Sequence, residues 1–428
     1  MTEPAAGGTR ETDRMIDTTT LLGAATAGLG GFIMGSGAWP FKLMKKYQFE
    51  HWWFIGMLVG LIIMPWAITF LGCPNVIEGL KAVPLRGLII GNIFAFGWGI
   101  ANVLCGLCFV RIGVALTGAI LAGLGVSVGA IVPMVFKGSG QFEDAAGLGS
   151  QAGLTVLAGV GVMLIGVIIA SFAGFGRDRE LKKLEQPSGG FLGGLIMTVI
   201  AGVLSTGTAF TFVYSQESII ANLSMVNAGS AISVAVKGTK GLSGQYGVAQ
   251  DGSITMDGVG VIQVGGLTAQ LAARRIESEL AEKRPSDTLK VKVGTGSIPA
   301  TFGAFAVGLF AGAIVNIAYA AYLLTRNKSW NVFAQSGKEF ILAIIIGVNF
   351  SVAVTLMGKG MLLLGALGGS IGWGIQQAMQ MTGSQGLGFV SGEWRGVHGK
   401  PRIQMYLAIA ILIGAAVIMA YGNTLAKS

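Results

Sequence analysis

The sequence predicts an all-α polytopic membrane protein with ten transmembrane helices and a small α+β soluble domain inserted between the sixth and seventh helices. Hydrophobic residues make up 52% of the chain and charged residues only 11%, whereas soluble proteins carry about 25% charged residues. Apolar runs of about 18 residues or more recur along the chain, and each is long enough to cross the hydrocarbon core of a bilayer. One polar stretch, 228–296, interrupts these runs with a different periodicity.

The ten apolar segments follow a polar segment of mixed charge, 1–17, which is expected to form a loose tail. Prolines, charged residues and Gly/Asn turns separate the segments. The predicted spans are Thr18–Trp39, Trp52–Leu71, Leu88–Phe109, a Gly-rich segment from Arg111 to Phe136, Gly153–Ala173, Gly190–Tyr214, Pro299–Leu324, Glu339–Met357, Leu367–Val390 and Met405–Tyr421. The predicted domains are five spans in 18–174, a charged cytoplasmic linker in 175–189, the sixth span with its lead-out in 190–227, the insert in 228–296 and the last four spans in 297–428.

Positive charge predicts the orientation of these spans. The net charge of +9 lies mostly in short loops, so membrane topology explains it better than nucleic-acid binding does. The loops after the odd-numbered spans carry most of the basic residues, and the positive-inside rule makes those loops cytoplasmic. Both termini and the insert are then periplasmic. The basic residues concerned are Lys42, Lys45, Lys46, Arg111, Arg177, Arg179, Lys182, Lys183, Arg326, Lys328, Lys338, Arg395, Lys400 and Arg402.

Six stretches of the apolar part resemble one transporter family. AWPFKLMKKYQFEHWWFIGMLVGLIIMPWAI (38–68) resembles the start of the L-rhamnose–proton symporter family in the drug/metabolite transporter superfamily. The resemblance covers about 18–225 and 298–423 and implies an inner-membrane transporter that moves a deoxy sugar with protons. It also implies two inverted five-helix repeats, with the substrate site near the midplane between them. The other stretches, in the family's order, are WGIAN (98–102), MLIGVIIASFAG (163–174), GVLSTG (202–207), GAIVN (312–316) and GEWRGVHGKP (392–401).

Polar and aromatic side chains at membrane depth are the candidates for binding a sugar. Such polar groups are costly in hydrocarbon and tend to face a cavity. The structural alternative is that Trp39 lies in the interfacial belt, while Asn102 and Asn316 only bond neighbouring helices. The candidate substrate-binding residues are Trp39, Trp98, Asn102, Ser205, Asn316, Trp373, Gln376 and Gln377.

The residue that would couple transport to protons is left open by the sequence. Coupling needs a side chain that changes its protonation state. Where the family has an acidic and aromatic stretch before the tryptophan of its ninth helix, this chain has ALGGSIGW (366–373). Glu217 and Glu393 lie only at helix ends, and the histidines, His51 and His398, are expected at the interface.

The sequence contains no recognisable catalytic or cofactor-binding pattern. Cys73, Cys105 and Cys108 give no disulfide framework, and no metal-ligand cluster or nucleophile–base pair is evident. We therefore predict no catalytic residue, metal or cofactor, and no enzyme activity. The expected partners are membrane lipid and a sugar or small polar metabolite, and no nucleic acid.

In the first part of the insert, apolar and polar residues alternate as they do in β-strands. Apolar residues then recur every three to four positions, as they do in an α-helix. Asp251-Gly252 is a turn signal, and Thr268 is a natural helix N-cap. The predicted helix runs to Lys283 and buries Leu271, Ile276 and Leu280. The predicted strands are Ala231–Val236, Ser253–Met256, Val259–Val264 and Leu289–Val293.

The insert also resembles a known domain family. LSGQYGVAQDGSITM, GVGVIQVGGLT and the closing KVKV resemble the polysaccharide-export domain of Wza-like outer-membrane export proteins. The resemblance implies a periplasmic location, with glycan binding or self-association through 228–296. Two functions therefore remain open: a sugar transporter with a periplasmic accessory domain, or a non-transporting anchor whose insert assembles with itself or with polysaccharide-export machinery.

Overall fold

The computed structural model describes most of the chain between Thr18 and Lys427, and its predominant element is the α-helix. The predicted tail 1–17, part of the linker 175–189 and the N-cap Thr268 lie outside the described residues. The described residues are 18–73, 75–112, 114–135, 147–181, 191–225, 231–237, 242, 244–265, 267, 269–283, 290–295, 298–365 and 368–427. Their helices are α1 (Thr18–Ser36), α2 (Phe49–Leu58), α3 (Met64–Gly72), α4 (Val76–Lys81), α5 (Leu85–Ile112), α6 (Val114–Val135), α7 (Gln151–Glu180), α8 (Phe191–Ser205), α9 (Gly207–Thr211), α10 (Glu217–Met225), α11 (Ala269–Lys283), α12 (Ile298–Gly308), α13 (Phe310–Arg326), α14 (Gly337–Leu364), α15 (Trp373–Val390) and α16 (Lys400–Lys427).

Seven helical segments of the described chain are long and apolar enough to cross a membrane. The pair α12 and α13 meets at a bend of 61° and makes an eighth candidate if it is one span. α6 contains a shorter apolar stretch, Ile120–Val132, and α15 is diluted by glutamines. The protein is thus a multi-pass helical membrane protein. The seven segments are Thr20–Leu43, Phe49–Gly72, Leu85–Cys108, Gln151–Glu180, Leu192–Thr211, Gly337–Leu364 and Lys400–Leu425.

The helices pack in a few long-range pairs. α7 lies along α16, α1 packs against both α14 and α15, and α5 packs against both α8 and α13. Small residues allow the closest of these approaches. A Cβ atom added at Gly31 would lie 2.2 Å from the carbonyl oxygen of Gln376, and one at Gly35 would lie 1.9 Å from that of Gln380. The backbones of α1 and α15 therefore touch, and only glycine fits there.

One end of the helical body gathers the loops that follow α1, α7, α13 and α15. Lys42 forms an ion pair with Glu393, and Arg177 reaches the same carboxylate at 3.4 Å. Glu339, in the first turn of α14, accepts a hydrogen bond of 2.7 Å from the backbone N–H of Tyr47. These contacts bring together the loops after the first, fifth, seventh and ninth predicted spans.

The insert is a small α+β unit between α10 and α12. β1 lies between β2 and β5 in an antiparallel sheet, and β3 and β4 form an antiparallel hairpin. β2 was not predicted, because Gly-Gln-Tyr-Gly does not alternate apolar and polar residues. The strands are β1 (Ala231–Lys237), β2 (Gly244–Gly247), β3 (Ser253–Met256), β4 (Gly260–Gln263) and β5 (Lys290–Thr295).

The buried face of α11 differs from the predicted one. Ala272, Ile276 and Leu280 are fully buried against the strands, whereas Leu271 is 50% exposed. The prediction for Leu271 was wrong because the buried positions repeat every four residues and begin one residue later. The remaining core of the insert comes from the strands, including Ile232, Val234, Ile254 and Ile262, and from residues that connect them.

The turn before β3 is closed by the side chain of Asp251. Its carboxylate accepts the Ser253 backbone N–H at 3.0 Å and the Ser253 hydroxyl at 2.7 Å. Because both bonds favour the ionised carboxylate, they hold the pKa of Asp251 below its ordinary value. Gly252 follows with a φ of +80°, a conformation that glycine adopts without strain.

Candidate functional site

A cavity of about 500 Å³ lies among the helices, a size typical of small-molecule sites. Six of the helices that line it precede the insert in the chain, namely α1, α2, α5, α6, α8 and α9, and two follow it, α14 and α15. The lining includes the last turn of α1, from Ile33, and continues past its end to Ala38, towards the end of the body where Lys42 and Glu393 pair. The cavity therefore occupies the half of the helical body nearest those loops.

Six of the eight predicted substrate-binding residues line this cavity. Asn316 does not line it but lies directly behind Asn102. Trp39 is outside the cavity lining and 42% exposed, and its position in the interfacial belt stays a prediction. The six lining residues, contributed by α5, α8 and α15, are Trp98, Asn102, Ser205, Trp373, Gln376 and Gln377.

Two of the family-like stretches meet behind the cavity wall. A Cβ atom at Gly312 would lie 2.5 Å from the carbonyl oxygen of Ala95, so α5 and α13 cross in near contact. One turn beyond Gly312 along α13, the Asn316 side-chain oxygen accepts a hydrogen bond from the Asn102 side-chain amide at 3.3 Å. Asn316 is fully buried and donates in turn to the Gly312 carbonyl at 2.8 Å. This chain of bonds fixes the Asn102 side chain at the cavity surface.

α15 presents a polar stripe to the cavity. Gln376, Gln380 and Ser384 recur every four residues and therefore share one helix face. The Gln376 amide nitrogen donates to the Gln380 side-chain oxygen at 2.8 Å. Gln376 is only 2% exposed, and its own side-chain oxygen has no hydrogen-bond partner within the described chain. Thr208, on α9, also lines the cavity with a buried hydroxyl that is unpartnered among the described residues.

The two predicted tryptophans are held by other elements. The Trp373 indole N–H donates to the Gly125 carbonyl of α6 at 2.9 Å, so it anchors α15 rather than offering a free donor. Trp98 stacks on Phe350 of α14, with ring centroids 6.2 Å apart. Trp52 and Trp53 add further aromatic surface to the lining. The cavity thus combines aromatic faces with amide and hydroxyl groups.

Every described residue that lines the cavity is uncharged. A charged ligand would lose its hydration there without gaining a counter-charge, which is costly. A neutral ligand with several hydroxyl groups and an apolar face fits both parts of the lining.

The stretch before Trp373, where this chain differs from the family, contains glycines with a packing role. A Cβ atom at Gly368 would lie 1.9 Å from the Met361 carbonyl oxygen.

Sequence reasoning missed several polar groups that the fold buries. Thr208 gave no distinct signal, but the four-residue spacing from Gln376 could have identified Gln380. His51 lies in the first turn of α2 with a fully buried ring, and its Nδ1 accepts the Gln48 backbone N–H at 3.1 Å, while its expected position at the membrane interface stays a prediction. The Glu217 side chain lies outside the described residues. Glu393 is engaged in the ion pairs at the loop end of the body.

Comparisons with known proteins agree with the two parts of this architecture. The family described as L-rhamnose-proton symport protein matches residues 18–239, just over half of the chain. The family described as polysaccharide biosynthesis/export protein matches residues 223–293. L-rhamnose-proton symporters from Yersinia pestis bv. Antiqua (strain Antiqua) and Yersinia pseudotuberculosis serotype O:3 (strain YPIII) are each 32% identical over 171 residues. That region covers 40% of this chain and 48% of the relative, so the chain spans about half the length of the relatives it matches.

Proposed function

The chain belongs to the L-rhamnose-proton symport protein family, and from that premise we propose that it is a secondary transporter of a neutral sugar such as L-rhamnose. The observation that carries the proposal is the uncharged cavity, whose lining joins aromatic rings to Asn102, Gln376 and Gln377. Stacked rings suit the apolar face of a deoxy sugar, and amides suit its hydroxyls. The absence of charge among the described lining residues disfavours sugar acids, phosphates and amino acids.

Alternating access between two inverted repeats is the mechanism that we propose. The ten-span count combines the seven candidate segments with the bent pair α12–α13, α6 and α15. Numbered in that way, the strong contacts come in related pairs. Span 1 packs on spans 8 and 9 (α1 on α14 and α15), and span 6 packs on spans 3 and 4 (α8 on α5 and α6). Exchanging each span with the span five positions away maps one set onto the other, which supports a two-fold repeat.

We propose that the loop end of the body carrying Lys42, Arg177 and Glu393 faces the cytoplasm, and that the insert faces the periplasm. The excess of basic residues in those loops supports this orientation. A fluorescent-protein fusion after Lys183 and a periplasmic-enzyme fusion after Ser253 test it. Both reporters are expected to be active. If the reporters showed that the two positions lie on the same side of the membrane, the proposed orientation would be contradicted.

Transport itself is tested by uptake of labelled L-rhamnose and other monosaccharides into proteoliposomes. We expect saturable uptake of at least one neutral sugar, and no uptake of sugar acids. Proton coupling is scored separately by imposing a pH gradient, because no described residue lining the cavity is acidic or a histidine. If no sugar enters with or without the gradient while the protein remains folded, the transporter proposal fails.

A second candidate function is a membrane anchor whose insert assembles with itself or with polysaccharide-export machinery. The match of residues 223–293 to the polysaccharide biosynthesis/export family favours it. Deletion of 228–296 separates the two functions. Unchanged sugar uptake would make the insert an accessory, whereas loss of assembly or glycan binding from a chain that never transported sugar would favour the anchor.

A further inference from the structure

Two polar atoms in the cavity wall have the properties of ligand-recognition groups. The Gln376 side-chain oxygen and the Thr208 hydroxyl are buried, line the same cavity and have no hydrogen-bond partner within the described chain. Gln376 is 2% exposed and Thr208 is 5% exposed. A buried polar group without a partner is costly. The great majority of buried polar groups in native proteins are therefore hydrogen-bonded.

The geometry of Gln376 limits what could satisfy it. Its amide nitrogen already donates to Gln380 at 2.8 Å, so the free group is an acceptor that needs a donor. A ligand hydroxyl supplies a donor, but an ionised carboxylate cannot. The Thr208 hydroxyl can donate and accept, and so it also suits a hydroxyl group.

We propose that Gln376 and Thr208 are the specificity-determining residues of the cavity and that each binds a hydroxyl group of a neutral polyhydroxylated ligand. Gln380 is a positioning residue, because its side-chain oxygen fixes the orientation of the Gln376 amide. This proposal rests on the proposed sugar-transport function and adds the residues that select the substrate. Recognition then depends on particular hydroxyls, since a site built for a hydroxyl discriminates strongly against an analogue that lacks it.

Thr208→Val is the sharpest variant, because it removes the hydroxyl and preserves the shape of the side chain. Without ligand it deletes an unpartnered polar atom, so the stability of the protein is expected to be unchanged or increased. Thr117→Val is the matched control. Thr117 is also fully buried with a hydroxyl unpartnered in the described chain, but it does not line the cavity.

The test is equilibrium binding of labelled L-rhamnose to the detergent-solubilised full chain, in competition with its monodeoxy analogues. We expect the wild type and Thr117→Val to reject at least one analogue. Thr208→Val should bind L-rhamnose roughly tenfold more weakly and no longer distinguish it from that analogue. Gln376→Met should lose discrimination against a different analogue, with its folding checked by thermal unfolding.

The outcomes separate this proposal from the function on which it rests. If the wild type binds L-rhamnose and Thr208→Val keeps both the affinity and the ranking of analogues, Thr208 has no role in recognition and the proposal is overturned. An equal loss of binding in Thr117→Val and Thr208→Val would also overturn it, because it would indicate a general packing effect. If the folded wild type binds no neutral sugar, the proposed function fails and this proposal fails with it.

Discussion

The side-chain amide of Asn102 donates to the side-chain oxygen of Asn316 at 3.3 Å and thereby ties the cavity wall to a second helix. The two residues are 214 positions apart and end two separate family-like stretches, WGIAN and GAIVN. The bond lies one turn from the place where Gly99 and Gly312 let α5 and α13 approach. The close packing of the two helices and the polar contact between them are therefore built from the same two segments.

Replacement of Asn102 by leucine is expected to weaken sugar binding and to destabilise the fold by about 1–3 kcal/mol, because it leaves the buried Asn316 oxygen unpaired. Asn92→Leu is the matched control on the same helix. Asn92 donates to the Val307 carbonyl at 3.0 Å and accepts the Ala311 N–H, but it does not line the cavity. Both variants should unfold at lower temperature in detergent. Only Asn102→Leu should lower the sugar affinity of the folded fraction, and equal affinity losses would contradict this assignment.

Gly35→Ala is expected to force α1 away from α15. The added Cβ atom would lie 1.9 Å from the Gln380 carbonyl oxygen, which is backbone and cannot rotate aside. Overpacking of this kind costs about 1–3 kcal/mol or more. Gly28→Ala, on the same helix, is the control because its nearest neighbour is the Met379 side chain at 3.4 Å. Thermal unfolding of both purified variants gives the comparison, and equal stability of the two would contradict the close approach.

Seven of the ten predicted spans correspond to candidate membrane segments of the described chain, because long hydrophobic runs carry their own signal. The sequence also selected Trp98, Asn102, Gln376 and Gln377, since polar groups in apolar helices are conspicuous. It could not select Thr208, because whether a threonine bonds its own backbone or faces a cavity depends on the tertiary packing. For a similar reason it could not predict that the His51 ring is buried, because that burial depends on contacts with Ser329 and Phe333, which are distant in the sequence.

The β3–β4 hairpin of the insert is expected to loosen in acid. The lowered pKa of Asp251 means that its ionised carboxylate is more stable in the folded state than in the unfolded state. Its contribution is therefore present above the unfolded pKa, about 3.9, and is lost as the pH falls through the lower folded value. Hydrogen exchange of segment 251–263 in the full chain, corrected for intrinsic rates, should rise in that acidic range. In Asp251→Asn the protection should be lower at neutral pH and should lose this acid dependence, and identical profiles for the two proteins would contradict the assignment.

Cys105 offers a native reporter of cavity access. Of the three cysteines, Cys73 and Cys108 are buried, whereas Cys105 is half-buried and lines the cavity. A membrane-impermeant maleimide is therefore expected to label inside-out vesicles faster than right-side-out vesicles, because the cavity lies in the half of the body proposed to face the cytoplasm. L-rhamnose at saturating concentration should slow the labelling, since the sugar would occupy the same cavity. Cys105→Ser supplies the background from the other two thiols. Faster labelling from the periplasmic side would contradict the proposed orientation, and labelling that no sugar slows would contradict the assignment of this cavity as the substrate site.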